Sequence, residues 1–236
     1  MGFKSFYVSK NPGYAQDQEI FGDILPDSGR QTKTVLGYDD NFKIVLNHKN
    51  GKISHIIQNN KIQSLEQSFG YYEGHPGNNS EFEFRASGAY IFRPLTQSPK
   101  LFIQRPNVTV YQGPISMEIH QEFAPYISQV SRVYKGSQDI EFEWLVGEIP
   151  IGDDIGKEII AKYDVKVDSK DQFYTDSNGR QMMLRRRNFR PTWKLNLTEP
   201  VSANYYPINS RIFVRDNKNQ ATVLTDRSQG GSSMGK

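Results

Sequence analysis

An all-β chain is predicted by three observations. The 236 residues include 13 tyrosines and 14 phenylalanines, and aromatic residues fit a pleated surface better than a helix. Residues 140–146 alternate, with Ile140, Phe142, Trp144 and Val146 set against Asp139, Glu141 and Glu143, a period of two that gives a strand one buried and one wet face. Asn-Gly pairs at Asn50-Gly51 and Asn178-Gly179 each separate two strand-like runs, as hairpin turns do.

The elements follow in order. Residues 3–8 form a short β-like run that stops at Asn11-Pro12-Gly13, and a polar, turn-rich stretch continues to about residue 30. From Phe42 the pattern changes to a hairpin: 42–46, a turn at Asn50-Gly51, then 53–57. Residues 71–82 are predicted as surface loop, because Gly74, His75, Pro76, Gly77, Asn78 and Asn79 cluster there. Strands are expected at 89–92, 101–104 and 108–111, then in the alternating runs 115–119, 127–134 and 140–146. Residues 157–163 are ambiguous between helix and strand; Ile159, Ile160, Val165 and Val167 favour a strand that Asp164 ends. A hairpin over 173–184 turns at Asn178-Gly179, and strands at 211–215 and 221–225 are joined across 216–219.

Composition excludes several classes. A net charge of +3 is too small and too dispersed for a nucleic-acid partner. The absence of cysteine removes disulfides, thiolate metal sites and thiol nucleophiles. No run approaches the ~18 apolar residues of a membrane helix, and Met1-Gly2-Phe3-Lys4-Ser5 lacks the apolar core of a signal peptide. Asn78, Asn107 and Asn196 head Asn-x-Ser/Thr sequons and are candidate glycosylation sites.

Four blocks carry a more specific signal. Ser87-Gly88-Ala89-Tyr90-Ile91-Phe92-Arg93-Pro94 is the first, and the stretch from Val146-Gly147-Glu148-Ile149-Pro150 through Gly156-Lys157-Glu158 is the second. The third is Phe173-Tyr174-Thr175-Asp176-Ser177-Asn178-Gly179 with Arg185-Arg186-Arg187 behind it. The last is Asn204-Tyr205-Tyr206-Pro207-Ile208-Asn209-Ser210 followed by Val223-Leu224-Thr225-Asp226-Arg227-Ser228-Gln229-Gly230-Gly231. In this order, from about residue 42 to 234, they resemble the carboxy-terminal β-domain of the class II α-mannosidases, glycoside hydrolase family 38, of the lysosomal type.

The resemblance implies a β-supersandwich, galactose-mutarotase-like domain over 36–236, truncated at its end, preceded by a flanking β piece and linker over 1–35. It implies a parent enzyme that is a retaining glycosidase, lysosomal or secreted, removing terminal α-mannose from glycoprotein-derived oligosaccharides. The carboxylate nucleophile, the proton donor and the zinc ion of such an enzyme are implied to lie in an amino-terminal catalytic domain. No catalytic or metal-binding residue is therefore expected in this chain, and it is expected to be inactive alone. An arginine that the family places just beyond the Gly-Gly-Ser-Ser block has no counterpart before Lys236. The expected partners are the oligosaccharide substrate and that catalytic domain, with no nucleic acid and no membrane. The alternative is a free-standing, non-catalytic carbohydrate-binding or interaction module.

Tyr90 is the one substrate-binding residue that the resemblance assigns. Read without it, Tyr90 is a core or strand-end aromatic. The histidines His48, His55, His75 and His120 have no zinc-like spacing and read as surface or partly buried imidazoles. Arg185, Arg186, Arg187 and Arg190 are read as a solvated or salt-bridged strand in preference to a phosphate site. Gly152-Asp153-Asp154 is read as a turn in preference to a calcium site, and Asp226-Arg227 as a buried ion pair fixing a loop.

Overall fold

The computed structural model describes Gly22–Ile24 and residues 32–235. The run expected at 3–8 lies outside the described residues. In chain order the strands are β1 (Gly22–Ile24), β2 (Lys33–Leu36), β3 (Phe42–Asn47), β4 (Lys52–Gln58), β5 (Lys61–Glu73), β6 (Lys100–Leu101), β7 (Asn107–Gln112), β8 (Ser116–Ala124) and β9 (Ile127–Tyr134). They continue as β10 (Glu141–Val146), β11 (Lys157–Val165), β12 (Gln172–Ser177), β13 (Gln181–Arg186), β14 (Tyr206–Ile208), β15 (Arg211–Arg215), β16 (Gln220–Leu224) and β17 (Gln229–Gly231). One turn of 3-10 helix, Ser202–Asn204, precedes β14. The described chain is all-β and every strand pairing is antiparallel.

Two sheets face each other as a sandwich. One runs β1-β7-β8-β9-β10 and the other β11-β5-β4-β3-β2, with β6 beside β5. Their inward side chains share one core, in which Leu36, Phe42, Ile44, Leu46, Ile53 and Leu65 meet Val108, Val110, Ile119 and Val133. These are the alternate residues of each strand, so the period-two pattern becomes burial directly. A smaller core of Phe69, Phe123 and Ile127 extends it, with the Phe69 and Phe123 rings edge to face at 4.9 Å. The buried Gln129 amide of β9 donates across the sandwich to Gln67 and within its own sheet to Gln121 and Ser131, while the Gln67 amide nitrogen and the Gln129 carbonyl oxygen are buried without a protein partner among the described residues.

The carboxy-terminal part adds a four-stranded sheet, β13-β12-β15-β16, and the pair β14-β17. Phe173, fully buried, packs edge to face on Tyr206 at 5.7 Å. The expected Asn-Gly hairpin is present: Asn178 and Gly179 have φ of 50° and 70°, and the Arg180 N–H closes the turn on the Ser177 carbonyl at 2.9 Å.

Several expectations are corrected. The 42–57 hairpin exists, but its loop is wider than an Asn-Gly pair: only Gly51 takes positive φ (67°), and its N–H bonds the Asn47 carbonyl. A tighter turn sits at Asn59-Asn60, with φ of 49° and 63°, and opens the 13-residue β5. That strand runs through Glu73, so the loop begins later than residue 71, because Tyr72 is buried and β11 pairs along it. Residues 89–92 form a turn and no strand, and of the run at 101–104 only Leu101 lies in a strand, β6, which begins at Lys100. Asp164 does not break β11; it sits exposed within it, opposite Glu66. Trp144 is 41% exposed, so alternation fails toward the end of β10, an edge strand.

Candidate functional site

Tyr90 lies at the tip of a loop that leaves β5 and returns to its end. The Leu95 N–H donates to the Glu73 carbonyl at 2.8 Å, and Gly74 bridges Pro94. Inside this neck, the His75 N–H donates to the Arg93 carbonyl and the Ser87 N–H to the His75 carbonyl. The outer part, 77–86, curls on itself: the Asn78 and Asn79 N–H groups both reach the Phe84 carbonyl. Gly77 is required there, since a Cβ would stand 2.2 Å from that carbonyl oxygen.

The tip is a tight turn. Gly88 and Ile91 exchange backbone hydrogen bonds at 2.8 and 3.3 Å, leaving Ala89 and Tyr90 as its outermost residues. The Ser87 hydroxyl donates to the Ile91 carbonyl and accepts from the Arg93 N–H, tying both legs of the turn together. Tyr90 is 100% exposed, which removes the core reading of this residue.

Two side chains next to the turn anchor it to distant parts of the chain. The Phe92 ring stands edge to face between Tyr72 of β5, at 5.8 Å, and Tyr205, at 5.0 Å. Burial pushes both phenols up from their ordinary pKa. The Arg93 guanidinium donates to the Glu83 and Arg85 carbonyls at 2.9 and 2.8 Å and to the Glu199 carboxylate at 2.7 Å. One planar cation thus holds the loop's outer leg and the segment ahead of β14. The turn is irregular backbone fixed by side chains, and it presents a phenol that has no partner among the described residues. Such a group can donate to a hydroxyl, accept from one and offer a flat face to a ring.

The other candidates fall in different places. Asn78, Asn107 and Asn196 are all exposed. Asn78 accepts from the Ser80 hydroxyl two residues on, Asn107 lies at the start of β7 within 3.3 Å of Glu122, and Asn196 lies in the irregular stretch before Glu199. The histidines do not come together. His48 contacts Thr34, His55 contacts Ser54, His75 contacts the Pro76 carbonyl and His120 contacts Glu118. Among the described residues no three His, Asp or Glu side chains are grouped to hold a metal ion, so these residues do not fit the zinc that the resemblance implies.

The arginine cluster is spent internally. Arg185 bonds Thr175 and lies over the Tyr206 ring at 4.3 Å, where Arg190 also sits at 5.3 Å. Arg187 pairs with Asp171 at 2.6 Å and donates to the Met234 carbonyl. Asp153 forms a turn with Ile155 and pairs with Lys157. Asp226 and Arg227 do pair, at 2.7 Å, but at 68% and 76% side-chain exposure the pair is solvated and not buried.

The sequence singles out Tyr90 as a candidate but not the residues that hold its turn. Ser87, Phe92 and Arg93 belong to the same block and were available as a group, whereas Glu199 is 106 positions from Arg93 and no local pattern joins them.

Comparison with known proteins supplies the family. Residues 39–236 match the glycosyl hydrolases family 38 C-terminal domain. The chain is 42% identical over 237 residues to the lysosomal alpha-mannosidase of Felis catus and 40% identical over 236 residues to that of Homo sapiens; each alignment takes in 99% of this chain and 23% of the relative. With the lysosomal alpha-mannosidase of Mus musculus the identity is 47% over 183 residues, 78% of this chain and 18% of the relative. The chain therefore spans under a quarter of the length of these curated relatives. With nearly all of its sandwich and its carboxy-terminal sheet inside the matched region, this chain belongs to glycoside hydrolase family 38, whose C-terminal domain it carries.

Proposed function

We propose that this domain serves an α-mannosidase that removes terminal α-mannose from glycoprotein-derived oligosaccharides in the lysosome or outside the cell, as one wall of its sugar pocket. The observation that carries this reading is the fully exposed Tyr90 on a turn clamped by Ser87, Phe92 and Arg93, in a chain of this family. In the proposal Tyr90 lends its phenol to a sugar hydroxyl and its ring to the sugar's flat face. Because the turn is already ordered, little conformational entropy is lost when sugar binds.

The nucleophile, the acid and the zinc belong, in this reading, to a catalytic portion outside the chain, and the domain supports that portion. Zinc would supply Lewis-acid contact to the sugar hydroxyls there. The test is hydrolysis of a chromogenic α-mannoside at acidic pH with added zinc, against a metal-stripped control. The chain alone should show no turnover above the control. In an α-mannosidase carrying this domain, Tyr90→Ala should lower kcat/KM at least tenfold, on the scale of about 1.4 kcal/mol lost from the transition state. Zinc-dependent turnover by the chain alone would overturn the reading.

A further inference from the structure

Beside the Tyr90 turn lies a cleft that nothing above uses. Arg93, Pro94, Leu95, Thr96 and Gln97 form one wall and Thr198, Glu199, Pro200 and Val201 the other, with His75 at one end, around a cavity of about 290 Å³. We propose that this cleft is a second sugar subsite, which takes a neutral hexose unit of the same oligosaccharide whose terminal residue meets Tyr90. The proposal rests on the Tyr90 reading and extends it to the substrate's next units.

Charge selects the ligand class. The cleft's one carboxylate and its one guanidinium are paired with each other at 2.7 Å, so the lining offers neither a free cation for a phosphate nor an unpaired acid for an amine. What remains is neutral hydrogen-bonding capacity. The Gln97 amide, the Thr198 hydroxyl, the outer oxygen of Glu199 and the His75 Nε2 have no hydrogen bond among the described residues. Amide, hydroxyl, carboxylate and imidazole together both donate and accept, as the alternating hydroxyls of a hexose require. Val201, 3% exposed, Pro94 and Pro200 give an apolar floor for the sugar's C–H face.

Position supports the same occupant. Arg93 follows Tyr90 by three residues, so their Cα atoms are at most about 11 Å apart, within the length of a short oligosaccharide. The Arg93–Glu199 pair thus both clamps the Tyr90 turn and fixes the width of the cleft.

The test uses the 236-residue chain, isotope-labelled and made without glycans so that no sugar on Asn196 can enter the cleft. Methyl α-mannoside and a linear α-linked mannotriose are titrated separately while backbone amide shifts are followed. Mannotriose should shift the amides of Gln97 and Thr198 together with those of Ala89 and Tyr90. Gln97→Ala, which removes a side chain without an internal partner, should weaken mannotriose about three- to tenfold, the worth of one neutral hydrogen bond, and leave the Tyr90-turn response to the monosaccharide unchanged. Shifts at the Tyr90 turn with none at the cleft, or full mannotriose affinity in Gln97→Ala, would overturn the subsite and leave the Tyr90 reading standing. Shifts at the cleft with none at the turn would keep a sugar site there and remove Tyr90 from the function proposed above.

Discussion

Two turns in this domain are held in opposite ways. The Asn178-Gly179 turn is local: β12 and β13 pair across it, and both turn residues take the left-handed backbone their types tolerate. The Tyr90 turn has no flanking ladder and hangs on Arg93, Phe92 and partners far along the chain. The first builds a sheet corner, whereas the second displays a side chain. A regular hairpin fixes its own geometry, while a presenting loop draws rigidity from the surfaces it crosses.

Asp176 makes the first turn more than a hairpin. Its side chain is buried, and its two oxygens accept from the N–H groups of Gly179, Asn209, Ser210 and Arg211. The Ser210 bond foremost, with those of Gly179, Arg211 and Asn209, holds this carboxyl far below the usual carboxylate range against the opposing effect of desolvation. One carboxylate therefore staples β12 to the approach to β15.

The largest effect should come from breaking that staple. Asp176→Ala leaves four N–H groups without their acceptor, and its melting temperature should fall more than that of any variant below, by calorimetry. The pH dependence sharpens the point. A carboxyl depressed in the folded state stabilises fully above its unfolded value of 3.8 and loses that stabilisation as pH falls toward the folded one. The difference in melting temperature between the native chain and Asp176→Asn should thus stay constant from pH 7 to 5 and shrink below about pH 4. A difference that shrinks already between pH 7 and 5 would mean that Asp176 is not the anchor.

Next comes Arg93→Ala, which releases the Glu83 and Arg85 carbonyls and Glu199. Amide exchange across 83–93 should rise about tenfold, roughly one net hydrogen bond's worth, with β12 and β13 unchanged. Equal loosening of both regions would show that the two turns are not independent. Gly179→Ala, at φ 70°, should cost about 1 kcal/mol in denaturant unfolding, with no change at the Tyr90 loop. Smallest of all, Tyr90→Ala should leave stability within about 0.5 kcal/mol, as expected for an exposed side chain. A larger loss would mean that the ring supports its own turn.

Legibility in the sequence divides along the same line. The alternation at 127–134 and 140–146 placed β9 and β10 well, and Asn178-Gly179 placed its hairpin, because backbone periodicity and turn chemistry act over a few residues. The reading of 89–92 as a strand failed for a physical reason. Ile91 and Phe92 have strand character, but Gly88 and Ile91 bond to each other and Phe92 is drawn between Tyr72 and Tyr205, so tertiary contact overrides propensity. Asp226-Arg227 looked like a buried pair because nothing in the dipeptide records depth.

Amino-acid order dictates that this chain is made of strands, where its Asn-Gly hairpin turns, and that the block around Tyr90 belongs to the α-mannosidases. Those properties reside in contiguous residues, where side-chain alternation, φ preference and motif are complete in themselves. The tertiary structure alone decides that Tyr90 points to solvent, that Arg93 meets Glu199 and that a cleft opens beside them. Each depends on how sheets formed by distant segments pack, and packing brings together residues whose separation along the chain carries no information about their separation in space.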